Sequence, residues 1–363
     1  MNVRYKNSVE PVYTDGRDID LDLGSLAGEA ADQRSSGSPD EHLKSGPTLW
    51  QQLPEPQSTD PTYYERPLLK ESVWEWAIPT YYYVGGLTGA ALVLGAAAQL
   101  ADESRFARLI RRCHWIGFVG ASVSGLLLIR DLGRPSRFLN MLRVFRPTSP
   151  MNMGAWILSA VGATSAPPLL LRGRGGVLGS IGDAFGIASG VFGMALATYT
   201  GVLIANTAVP LWQESRRALP ILFGASAMSS VGSLFEIFSE NEDERRITKV
   251  FGSAGQIAEI AAAFAMERQA SVVPRVARPL KRGLSGALWK GATLLTAVSL
   301  VLSFVKNNSR QQRVAGGVIG TLGSLLMRFA VEHAGVVSSR DARASFHQQR
   351  AGHGAAEVTQ ARK

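Results

Sequence analysis

The chain contains a single cysteine, Cys113. One thiol excludes a disulfide within the chain. It also excludes an iron–sulfur cluster held by this chain alone, which needs about four thiolates. No Cys/His spacing suits zinc. Charge is scarce too. Asp, Glu, Lys and Arg make up 18% of the 363 residues, against about a quarter in soluble domains. Residues 77–100, 147–171 and 184–213 carry none. Helical stretches of about 20 such residues match the hydrocarbon thickness of a bilayer. Several in one chain exclude a soluble fold. Histidine is sparse, with five in all, and only His114 and His333 lie near apolar stretches. Haem with two axial histidines is therefore not expected. No apolar core follows a basic start, so a secretory signal is not expected either.

What is present is apolar and helical. Spans are expected at 74–100, 113–129, 151–171, 182–209, 218–238, 247–266, 288–305 and 314–331. The last three rest on shorter or less clean apolar runs. Small residues recur at four-residue spacing, as in Gly85 and Gly89 or Gly193, Ala197 and Gly201. In lipid such residues let helix backbones approach closely. The expected fold class is all-α, a polytopic transmembrane bundle of about eight helices in two four-helix bundles.

The first 71 residues differ, with 7 Lys and Arg against 13 Asp and Glu. Residues 1–62 read as a disordered, acidic, cytoplasmic or peripheral tail. Residues 63–335 form the transmembrane domain, and 336–363 read as a polar, frayed C-terminal tail. The net charge of +9 belongs to loops at the bilayer surface, so no nucleic-acid partner is expected. Lys and Arg divide almost evenly between the loops of the two sides and do not orient the chain.

The run from Asp131 through Arg134-Pro135 and Arg146-Pro147 to Gly154 and Trp156 resembles the NrfD/PsrC family. Those are the membrane subunits of polysulfide and related respiratory reductases. Tyr199-Thr-Gly201 with Pro210-Leu-Trp212, the entry segment with Trp74-Glu75-Trp76, and residues 225–230 agree with it. The resemblance extends over about 64–335. It implies an inner (cytoplasmic) membrane protein that exchanges electrons with a quinone, menaquinone or ubiquinone. The implied partners are a ferredoxin-like iron–sulfur subunit and a molybdopterin-containing catalytic subunit.

Quinone chemistry needs hydrogen-bond donors for two carbonyl oxygens and a route for protons. Charged groups at membrane depth are functional candidates because they are costly. Tyr199 matches the family's quinone-contacting tyrosine in the fourth span. Glu75, Tyr82, Tyr83, Asp131 and Arg134 cluster around the entry of the first span and the exit of the second. Each has a plainer alternative: an interhelical hydrogen bond for Tyr199, a solvated carboxylate for Glu75, belt aromatics for Tyr82 and Tyr83, and a loop ion pair for Asp131 and Arg134. Arg137 and Arg143 suit lipid headgroups or a partner. Glu259, with Gln256 on the same helix face, and Glu236 are candidates for a proton path, or for polar clamps between helices. His114 reads as interfacial. A secondary transporter and a redox-inert scaffold are the competing functions. No internal repeat of the kind transporters carry is visible.

Overall fold

The computed structural model describes residues 19–20, 25–26, 69–72, 74–132, 135–238, 241–305 and 309–345. Most of the acidic tail lies outside the described residues. Within it, β1 (Ile19–Asp20) pairs antiparallel with β2 (Ser25–Leu26). Everything else described is helix and loop.

Eight long helices follow: α1 (Ala77–Asp102), α2 (Ala107–Asp131), α3 (Pro150–Leu171), α4 (Val177–Ala205), α6 (Ala218–Phe238), α7 (Glu242–Ala270), α9 (Gly283–Phe304) and α10 (Arg310–Ser339). Short helices α5 (Pro210–Glu214) and α8 (Arg278–Lys281) sit in loops. Seven of the long helices are long and apolar enough to cross a membrane. The chain is a multi-pass membrane protein. The remaining long helix, α7, which contains the span expected at 247–266, has the length but is not apolar enough, because Lys249, Gln256 and Glu259 interrupt that stretch.

Two rings of four helices result. In the first, α1 packs on α2 and α4, and α3 closes the ring against both. In the second, α6 packs on α7 and α10, and α9 closes the ring. The rings meet along a seam where α1 and α4 face α6, and α1 also touches α10. Glycine sets these distances. A Cβ on Gly89 of α1 would fall 2.3 Å from the Gly193 carbonyl oxygen of α4. A Cβ on Gly232 of α6 would fall 2.2 Å from the Gly252 Cα of α7.

Helix ends follow local rules. Ser149 caps α3 ahead of Pro150 at its first position. That proline lacks an N–H where none is needed. Ser309 and Gln312 form a reciprocal capping box on α10. Gly176, at φ 71°, adopts the left-handed conformation that starts α4. Between α2 and α3, a 3₁₀ helix (Pro135–Leu142) lies along the bundle end. Asn152 ties it down. Its side-chain amide donates to the carbonyls of Met141 at 2.7 Å and Val144 at 2.9 Å, and its oxygen accepts from the Arg146 amide.

The apolar runs mark only the middles of the helices. α2 begins six residues before the expected span, so His114 lies two turns inside the helix. It is buried rather than interfacial. α10 extends eight residues past Val331. Beyond it, Asp341, Ala342, Ala344 and Ser345 are buried rather than frayed. Asp341 faces Arg275 at 3.8 Å, and burial pushes its carboxyl above the usual carboxylate range.

Candidate functional site at the seam between the bundles

The entry of α1 is strapped across the seam before the helix begins. Arg340, just past α10, grips the Glu71 carboxylate with two hydrogen bonds of 2.7 and 2.9 Å. Ser72 donates to Glu332 of α10 at 3.1 Å. Trp74 then stacks on Trp212 of α5, with ring centroids 6.0 Å apart. The Trp212 indole donates to the Val331 carbonyl at 2.9 Å. This strap delivers α1 with its tyrosines turned toward the protein interior.

Tyr82 points into the seam and is buried. Its ring contacts Trp74, Tyr81 and Phe223 edge-on or tilted. Its hydroxyl has no hydrogen-bond partner among the described residues. Arg328 of α10 lies close by, also buried. Its guanidinium sits 4.0 Å from the centre of the Phe223 ring and donates once, to the Phe223 carbonyl at 2.8 Å. Its Nε and Nη1 have no acceptor among the described residues. A cation over an aromatic face with two unused donors is a strong hydrogen-bonding position in a dry environment. Glu332 is one helical turn from Arg328, on the same face of α10. Glu332, Asp131 and Arg328 are the charges that act on the Tyr82 hydroxyl.

Tyr199 is half-buried on α4. Its hydroxyl is hydrogen-bonded to that of Tyr81. Its ring occupies the space that a side chain at Gly154 would need, 2.2 Å from the site of a Cβ there. Tyr199, Tyr81, Tyr82 and Trp74 therefore make one continuous aromatic series across the first bundle. Asp131 ends α2, half-buried and close to the charge of Glu75. Glu75 itself is exposed. Arg134 lies outside the described residues.

The second group of sequence candidates lies deeper in the second bundle. Glu259 is fully buried on α7. Ser226, Ser229, Ser324 and Arg328 surround its carboxylate, yet neither oxygen completes a hydrogen bond among the described residues. Tyr83 reaches toward it from α1, beside Thr321 and Ser230. One turn from Glu259, Gln256 donates to Ser299 at 2.8 Å, and Ser299 donates to the Gly316 carbonyl at 2.9 Å. Gln256 and Ser299 also line a cavity at the far end of this bundle, on whose wall Glu236 is half-buried.

The structure thus joins most of the sequence candidates into two neighbouring groups, with Arg328 between them. Arg328, Glu332 and Tyr81 are the residues that sequence reasoning missed. Their signal was present. Arg328 is an arginine inside an apolar run, and Glu332 follows it at i+4 spacing. Ending the last span at Val331 hid their shared face.

Among curated proteins nothing matches the chain. The Asn152-anchored loop, the Asp131 end of α2 and the tyrosines of α1 all fall within one recognisable segment, whereas Tyr199 and the second bundle lie beyond it. Residues 67–172 match the family model described as polysulphide reductase, NrfD.

Proposed function

We propose that the chain is the quinone-reactive membrane subunit of a respiratory oxidoreductase in the inner membrane. It exchanges electrons between the quinone pool and an iron–sulfur subunit docked at the end carrying the strap and the Asp131 loop. A ferredoxin-like subunit is the expected neighbour and a molybdopterin-containing subunit the expected catalytic partner. The observation that carries the reading is the set of unused polar atoms at the seam: the Tyr82 hydroxyl and Nε and Nη1 of Arg328. These lie beside Glu332, and Tyr82 lies within the segment that matches the NrfD family.

The residues fit such a ligand. A quinone supplies two carbonyl acceptors and takes up two electrons with two protons. Tyr82 offers an O–H donor and Arg328 two N–H donors. The Tyr81–Tyr199 hydroxyl pair can turn one proton outward to a second acceptor. Trp74 and Phe223 provide apolar walls. Glu332, Asp131 and Glu75 accept or return protons toward the strap end. Glu259, Gln256 and the Glu236 cavity offer a second route through the other bundle. A chain with one cysteine must pass electrons to a cluster held by a neighbour.

A photoreactive azidoquinone tests the site on the full chain in membranes. It should label peptides of α1 or α4, and excess menaquinol should suppress the label. In the assembled complex, Tyr82→Phe and Tyr199→Phe should each lower quinone-linked turnover about three- to tenfold, the worth of one hydrogen bond. Unchanged turnover in both variants, with assembly intact, would remove these residues from the site.

A further inference from the structure

The cavity at the far end of the second bundle has a composition unlike the seam. It encloses about 380 Å³ between the end of α6, the start of α7, the end of α9 and the start of α10. Among the described residues, Arg245, Lys249 and Arg313 line it, with one carboxylate, Glu236. Glu242 grips Arg245 from the exposed rim. Even with it, cations outnumber carboxylates three to two among the described residues. Hydroxyls complete the wall. Ser233 is 3% exposed, and its hydroxyl has no hydrogen-bond partner among the described residues.

The mouth is apolar. Lys249 Nζ lies 5.8 Å from the centre of the Phe304 ring, and Phe304 is 61% exposed. Val305, next to it, and Val301, one turn back on α9, are exposed as well. These are the ends of membrane-crossing helices, so the mouth opens at the level of the lipid headgroups. Half-buried cations and buried hydroxyls behind an apolar rim suit an anion that carries acyl chains.

We propose that this cavity binds a phosphate-bearing anion, the chemistry shared by anionic phospholipid headgroups and free phosphate. Arg245, Lys249 and Arg313 neutralise the phosphate, Ser233 donates to one of its oxygens, and the acyl chains of a lipid lie over Val301 and Phe304. The site is separate from the seam and does not depend on the redox reading.

Native mass spectrometry of the full chain in detergent tests it, with equal amounts of phosphatidylglycerol and phosphatidylcholine added. Phosphatidylglycerol should be retained about tenfold better, and Lys249→Gln with Arg313→Gln should abolish that preference. Lys249→Arg should keep it, which separates charge from folding damage. Glu236→Gln should strengthen retention about threefold, because it removes an opposing charge from the wall. Displacement of the lipid by millimolar inorganic phosphate would assign the site to free phosphate. Resistance to it would assign the site to the headgroup. Equal retention of both lipids by the native chain, or a Glu236→Gln variant that binds more weakly, would overturn the proposal.

Discussion

Arg328 holds its charge at bilayer depth with one backbone acceptor and an aromatic face. Glu259, on α7 of the same ring, is the carboxylate that acts on it most strongly, without a hydrogen bond between the two. Opposite charges buried near one another are weak evidence for stability, but losing one is costly because the other is left uncompensated. Arg328→Met should therefore destabilise the detergent-purified chain by about 3–5 kcal/mol. The double variant Arg328→Met with Glu259→Leu should recover at least half of that loss. Thermal melts of the three proteins measure the difference, and a double variant less stable than Arg328→Met would show that the two charges are not coupled. Glu259 was legible as a carboxylate in an apolar helix. That Arg328 answers it was not, since periodicity places a residue on a face but does not name the helix opposite.

At the scale of elements, glycines decide where helices touch. Gly89 has the Gly193 oxygen at 2.3 Å and the Ala197 nitrogen at 2.7 Å from the site of a Cβ, so even alanine forces α1 away from α4. Gly162 of α3 has nothing within 4 Å of the same point. Gly89→Ala should cost about 1–3 kcal/mol through overpacking. Gly162→Ala should be neutral or stabilise by about 0.5–1 kcal/mol, by removing backbone freedom in a helix. A melting temperature that falls equally in both would contradict close packing at Gly89. The four-residue glycine spacing was visible in sequence, although only the packed helices distinguish Gly89 from Gly162. Helix lengths were legible in their apolar middles. The charged first turn of α7 looked like loop because hydropathy discounts it, yet Asn241 caps it by accepting from the Asp243 amide at 3.0 Å. The extension of α10 depended on a partner distant in sequence: the Leu211 amide donates to Ser338 at 3.1 Å.

At the scale of the whole molecule, the two bundles are fastened at both ends of their seam by different means. At one end the strap holds the start of α1 to α10 through Glu71 and Arg340. At the other, α2 of the first bundle reaches α7 of the second. There Arg112 meets Glu244 at 3.1 Å, with the Glu244 side chain only 1% exposed. Beside it, Arg105 pairs with Asp243 at 2.7 Å, with both side chains about half exposed. These two pairs look alike as contacts and differ in consequence. An exposed pair exchanges one set of solvated charges for another and contributes little. Removing Arg112 instead strands a carboxylate that water cannot easily reach, at a cost of several kcal/mol. That cost falls on the docking of one bundle against the other rather than on either ring, since each ring keeps its own helix contacts. Hydrogen exchange separates the two effects, because local opening raises exchange only where structure is lost. Arg112→Ala should speed exchange in the first turns of α2 and α7 and leave the interior of α9 unchanged, whereas Arg105→Ala should leave all three at the native rate. Glu244→Gln added to Arg112→Ala should restore protection, because the stranded charge is then gone. Uniformly faster exchange across both bundles in Arg112→Ala would show that the seam does not open as a unit at that end.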